Sequence, residues 1–261
     1  MIKALYTSAT GLNAQATMVD NTANNLANIN TNGFKKSQVD FQDLIYVTER
    51  APGSEAAAGL QVPVGLQIGS GVRVAGTTKV YTPGTLANTQ NPLDVAIEGD
   101  GFFQVKLPNG DTLYTRDGAF RLNASGSLVN VDGFPLQPQI TIPSDTKDIS
   151  IGSDGTISVT NGANASSNLG QLTLVRFPNP SGLSNTGRNL VAATASSGQA
   201  LTATPGTSGI GLVRQGFLER SNVDVVTELV NLITAQRAYE INTRAIRTSD
   251  EMLSNTTNLT R

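Results

Sequence analysis

Glu98 and Asp100 stand two residues apart in "VAIEGDGFF". On a strand they would share a face, at a spacing compatible with the paired carboxylates of glycoside hydrolysis. The simpler reading makes "EGDG" a tight turn whose acids face water. A sugar site would want an aromatic platform, and the chain has no Trp. "GDG" and "SDGT" (153–156) hint at calcium, but a calcium loop needs several carboxylates at alternate positions and a closing Glu, and each segment offers one or two. "GLQIGSG" has the glycines of a phosphate loop without the strand-to-helix setting. "NGFKK" pairs two lysines without interleaved aromatics, so it reads as a solvated helix exit, not a nucleic-acid patch. "NAS", "NTT" and "NLT" match glycosylation acceptors, a pattern frequent by chance.

Composition narrows the chemistry further. The 261 residues contain no Cys and no His. That removes disulfides, thiolate nucleophiles, imidazole ligands and the usual general base. A net charge of −2, with charged residues at 15%, favours neither a polyanion nor a membrane surface as partner. No catalytic residue, cofactor site or metal site is assigned, and the chain reads as a non-enzyme. The N-terminal "MIKALYTSATGLNAQATMVD" lacks the apolar run of a secretory signal peptide. No window reaches the length of a membrane span, so neither membrane insertion nor nucleic-acid binding is expected.

The elements form three zones. At the start, Ile2, Leu5, Ala9, Leu12, Ala16, Val19, Ala23 and Leu26 recur in alternating steps of three and four, a heptad seam. A helix over residues 2–29 would be roughly 42 Å long. Gly33 is placed to close it in left-handed conformation, with Phe34 as a hydrophobic clasp. At the other end, Val225, Leu232, Tyr239, Ile246 and Leu253 recur every seven residues. "SNVD" before them resembles a capping box with Ser221 as N-cap. Neither helix would be stable alone, so a coiled coil between the chain ends is the natural solution. Between them, "GFFQVKLPNGDTLYTRDGAFRL" reads as three strands joined by Asn109-Gly110 and Asp117-Gly118 turns. Strand spacing predicts an antiparallel all-β domain of barrel or sandwich type. The fold class is therefore α+β, with helix 1–33, an extended connector 34–70, a β-rich domain 71–216 and a C-terminal helix 217–261.

The end of the first helix is loaded with amides: Asn24, Asn25, Asn28, Asn30 and Asn32. A coiled coil of the chain ends still leaves helix faces that identical neighbours can cover. Outside the apolar seam the amides suit wet axial contacts between such subunits, where charge would be costly to bury. The plainer alternative, fraying and capping of the helix end, fits Asn32 and Gly33. The expected interface residues are Leu5, Leu12, Val19 and Leu26 with Asn24, Asn25 and Asn28, and Val225, Leu232, Tyr239, Ile246 and Leu253.

Three motifs point to a family. "NNLANINTNGFKK" resembles the N-terminal signature of the bacterial flagellar rod and hook proteins. "LDVAIEGDGFFQV" with "YTRDGAFRLNASGSLVNVDGFPLQP" resembles their shared β-domain motif, and "GFLERSNVDVVTELVNLITAQRAYEIN" their C-terminal helix. Length and the stretch around residues 46–69 resemble the distal-rod branch, with proximal-rod and hook-type subunits as the alternative within the family. The resemblance implies a structural subunit that self-assembles into a rigid helical tube and transmits torque from motor to hook. It implies proximal-rod and hook proteins, surrounding basal-body rings and the flagellar export apparatus as partners. It also implies a place in the basal body across the periplasm, export without a cleaved signal, and a connector that stiffens the tube. An alternative of another class is a secreted β-rich cell-wall-binding module or hydrolase on a coiled-coil stalk, which would be a monomer or small closed oligomer and carry its own ligand pocket.

Overall fold

A computed structural model describes residues 2–53, 55–57, 60–61, 63–162 and 165–259. It is α+β: helix α1 (Ile2–Ala27), helix α2 (Val225–Leu259) and a strand-rich middle whose pairings are antiparallel. No helix among the described residues is long and apolar enough to cross a membrane.

The chain forms two compact units. The helical unit comprises Met1–Ala27, Ser37–Thr78 and Asp224–Arg261; the β unit comprises Asn28–Lys36 and Lys79–Val223. The division differs from the one drawn on composition. Much of the Gly/Ala/Pro-rich connector belongs with the helices, because Ser37–Asp43 pairs with Val72–Lys79 and Tyr46–Arg50 pairs with Leu66–Gly69. Periodicity hid these strands. Tyr46–Arg50 is exposed along its whole length, so no in-out alternation marks it.

The β unit holds a five-stranded sheet ordered Leu136–Gln137, Phe103–Lys106, Thr112–Thr115, Leu190–Ala192 and Ser184–Gly187. A three-stranded sheet, Thr146–Ile151, Thr156–Asn161 and Ser166–Gln171, and several two-stranded ribbons complete it. Adjacent residues Phe102 and Phe103 point to opposite faces, as the strand period of two requires. Phe103 joins the larger core with Val95, Ile97, Phe120, Leu136 and Ile157; Phe102 joins a smaller one with Tyr114, Val175, Phe177 and Leu183. Edge-to-face ring pairs stabilise each, Phe103–Phe120 at 5.0 Å and Tyr114–Phe177 at 4.9 Å.

Of the two expected hairpin turns, one closes a hairpin. Asn109-Gly110 joins Phe103–Lys106 to Thr112–Thr115, with Gly110 at φ 94°. Asp117-Gly118 does not, because Thr112–Thr115 takes Leu190–Ala192 as its other neighbour. Gly118 is needed instead for close approach: a Cβ there would lie 1.6 Å from the Val95 carbonyl oxygen.

Helix ends also differ from the expectation. α2 begins at Val225 and its N-cap is Asp224, whose Oδ1 accepts the Thr227 amide at 2.8 Å. Ser221, four residues from the helix, accepts the Val223 amide instead. α1 ends at Ala27, so Gly33 lies too far beyond it to be a helix cap. Its φ of 68° serves another purpose, since a Cβ would sit 2.7 Å from the Arg116 backbone. Phe34 lies under the Lys79 ammonium, 5.0 Å from ring centre.

Candidate assembly surface

The most elaborate polar site is structural, and it is built on Glu219. This carboxylate is 2% exposed, as is Lys35. Glu219 Oε1 accepts Lys35 Nζ at 2.6 Å and the Gly84 amide at 2.9 Å; Oε2 accepts Arg116 Nε at 2.7 Å. Arg116 donates its remaining nitrogens to the carbonyls of Gly101 (2.6 Å) and Gly99 (2.7 Å), and Lys35 donates to the Thr82 carbonyl. Burial pushes the Glu219 carboxyl up, but the charges and hydrogen bonds of Arg116 and Lys35 outweigh it and hold it below the usual carboxylate value. Burial lowers the Lys35 ammonium, with Glu219 opposing only in part.

The knot thus ties residues 28–36, just after α1, to Glu219, just before α2. Gly33 adds a backbone bond to the Glu219 carbonyl at 2.8 Å, and Asn222 accepts the Lys36 amide at 2.8 Å. Lys35 is therefore no solvated helix exit, which corrects the reading of "NGFKK". The "EGDG" turn contributes carbonyls to Arg116, while Glu98 forms a surface pair with Arg214 at 3.2 Å. Sequence reasoning missed Lys35, Arg116 and Glu219 as a set. The one available signal was that each lies inside a family motif: "NGFKK", "YTRDG" and "GFLER".

In the helical unit, α1 and α2 run antiparallel. Asn25 meets Glu228, and Gly11 lies against Asn242. The inner face is small and polar, with Ala14, Thr22 and Asn25 of α1 and Glu228 and Ala235 of α2 buried. Gly11 permits the approach, since a Cβ there would already press on Asn242 at 3.1 Å. Asn25 is 1% exposed; its Nδ2 donates to the Ser37 carbonyl and its Oδ1 accepts the Ser37 amide.

The expected interface residues fall beside this inner face. Leu5, Leu12, Val19 and Leu26 are half-buried on one flank of α1; Leu232, Ile246 and Leu253 are half-buried on α2, and Val225 and Tyr239 are exposed. A groove between the helices brings Val19 and Tyr239 together with Ala16, Asp20, Gln236 and Glu240. Among the amides, Asn25 is occupied inside its own unit, Asn24 is exposed, and Asn28 accepts the Thr31 hydroxyl at 3.2 Å.

An interior this small in apolar area gives the helices little hydrophobic support of their own. Limited proteolysis of dilute protein should therefore remove both helices first and leave protected ends near Asn28 and Val223, read by intact mass. Helices that resist protease as long as the β unit would contradict this.

The motifs, the two units and the knot can be set against known proteins. A FlgG rod protein of Buchnera aphidicola from Schizaphis graminum, titled "Flagellar basal-body rod protein FlgG", is 48% identical over 254 residues, covering 97% of this chain and 98% of that one. The chain belongs to the FlgG family. The FlgG of Borreliella burgdorferi is 45% identical over the full length of both chains, and that of Agrobacterium fabrum 46% over 97% of each. Three family models agree: "Flagella basal body rod protein" over 5–35, "Flagellar hook protein FlgE/F/G D1 domain" over 96–159, and "Flagellar basal body rod FlgEFG protein C-terminal" over 214–259. The knot of the FlgG-family chain draws one residue from the first match, Lys35, one from the second, Arg116, and one from the third, Glu219.

Proposed function

We propose that this chain is a structural subunit of the flagellar basal-body rod, in its distal part, and that copies of it stack into a rigid helical tube that passes torque to the hook. Full-length identity to FlgG rod proteins supports the assignment. The observation that carries assembly is the exposure of apolar helix surface: Val226, Leu229, Val230 and Ile233 of α2 lie open while its inner face is small and polar. Single exposed apolar residues need no explanation, but a contiguous stripe on a helix calls for a partner.

In this reading the two helices form a coiled coil whose flanking seam residues, from Leu5 to Leu26 and from Val225 to Leu253, meet neighbouring copies. Asn24 and Asn28 supply polar contacts at its end. The strands of residues 37–78 present Tyr46, Val47, Leu66 and Ile68, also exposed, to adjacent subunits and so stiffen the tube. The β unit keeps its own core and has no need of neighbours to fold. The chain would reach the basal body across the periplasm by the flagellar export apparatus, and meet proximal-rod proteins, hook proteins and the surrounding rings there. The role is structural, without turnover.

Negative-stain electron microscopy of purified protein across a concentration series tests this. Straight tubes should appear above a threshold concentration; monomers or small closed oligomers at every concentration would defeat the reading.

A further inference from the structure

The helical unit has two apolar surfaces, one with a cation in it and the other with carboxylates beside it. The first is convex. Val226, Val230, Ile233 and Ile241 sit at i, i+4, i+7 and i+15 of α2, on one side of a helix of period 3.6. Their exposures are 70%, 56%, 51% and 64%. Glu228, Ala235 and Asn242 lie on the opposite side, against α1. Between Val226 and Ile241 this side leaves large apolar side chains open to water, which a helix covered only by its own chain would not show. Arg237 continues the ridge one turn beyond Ile233 and is also exposed.

The second surface is concave. The groove between α1 and α2, about 410 Å³, has Ala16, Val19 and the Tyr239 ring as apolar lining and the carboxylates of Asp20 and Glu240 beside them. Its volume lies in the range in which proteins seat a bulky group. Ridge and groove cannot satisfy each other within one chain. The ridge lies on the side of α2 turned away from α1, whereas the groove opens between the two helices.

We infer that the ridge Val226–Val230–Ile233 of one copy docks into the Ala16–Val19–Tyr239 groove of the next, with Arg237 beside Asp20 and Glu240. This rests on the rod reading and specifies its contact. The charge match selects a second copy as occupant, because the apolar ridge carries the cation Arg237 and the groove the carboxylate of Asp20, beside Glu240, which also pairs with Arg244 of its own helix at 3.9 Å. The two surfaces differ, so the contact is head-to-tail. Such a contact propagates into an open filament unless its rotation closes a ring.

The chain contains no Cys, so a disulfide can report the contact directly. Full-length protein carrying both Val230→Cys and Ala16→Cys would be assembled and mildly oxidised. An intrachain bond is excluded by geometry. Residue 16 lies beside Gln236, six residues and roughly 9 Å of helix rise from Val230, which points away. A ladder of covalent multimers should form, at least tenfold more abundant than with Val230→Cys paired to Lys106→Cys on the β unit. Circular dichroism matching the parent protein, and single-cysteine controls that stop at dimer, would fix the assignment. A double variant that also stops at dimer, or Val230→Cys cross-linking chiefly to itself, would overturn the inference. Filaments that form without the ladder would sink the inference and spare the rod reading; protein that neither assembles nor cross-links would sink both.

Discussion

Replacing Glu219 with Ala should destabilise the β unit by about 3–5 kcal/mol, the usual consequence of removing one partner from a buried ion pair. The change leaves Lys35 and Arg116 buried without their anion and deprives the Gly84 amide of its acceptor. It should also free residues 28–36, which the carboxylate and its neighbours hold. Glu219→Gln should cost less, because an amide oxygen can still accept one donor. Urea unfolding followed through the tyrosines of the β unit would measure both. If Glu219→Ala unfolds at the parent midpoint, the knot is not what stabilises these segments.

The pH dependence follows from the same group. Glu219 is held below its ordinary value of 4.5 in the folded protein, so between the folded and unfolded values the unfolded chain binds more protons. Its contribution is therefore complete above the ordinary carboxylate range and is lost as pH falls through the lowered folded value. In Glu219→Ala this part of the acid destabilisation should disappear. Lys35 acts at the alkaline end. Burial lowers it from 10.5, so between its folded value and 10.5 this group alone makes stability rise with pH.

The existence of both helices was legible because heptad spacing sustained over several repeats is a strong signal. Which face turns inward was not. α2 offers Val225, Leu232, Tyr239, Ile246 and Leu253 as one seven-residue series and Glu228, Ala235 and Asn242 as another, and hydrophobicity prefers the first. The structure buries Glu228 and Ala235 of the second and leaves Leu232, Ile246 and Leu253 of the first half-buried, because Gly11 and Ala14 let the helices approach closely and a small, hydrogen-bonded interior then suffices. A chain that assembles has apolar surface in excess of what its own fold covers, so pattern and monomer burial need not coincide. Lys35 failed for a different reason. Its partner stands 184 residues away, and nothing local distinguishes a buried lysine from a solvated one. The same non-local pairing separates Asn109-Gly110, a turn complete within its own hairpin, from Asp117-Gly118, where the strand takes its next neighbour from residues 190–192.

The second large effect is expected at Leu232. Its side chain is half-buried on the flank of α2, within the seven-residue series that includes Tyr239. In the single chain Leu232→Asp leaves the new carboxylate a path to water, so the purified monomer should stay folded in buffer and its β unit should keep the urea midpoint of the parent. In the tube proposed above the same flank would face a neighbouring copy, and every contact would bury an unpaired charge. A cost of about 3–5 kcal/mol per contact corresponds to roughly a hundred-fold to several-thousand-fold weaker association. The threshold concentration for tubes should rise beyond any accessible value, and cells carrying the change should lose motility. Leu232→Met conserves volume and polarity and should cost less than about 1.5 kcal/mol, leaving assembly close to that of the parent. The pair of substitutions separates charge from shape at one position. Tubes from Leu232→Asp at the parent threshold would show that this flank stays open to solvent in the rod and that the contacts between copies run through other faces of the helices.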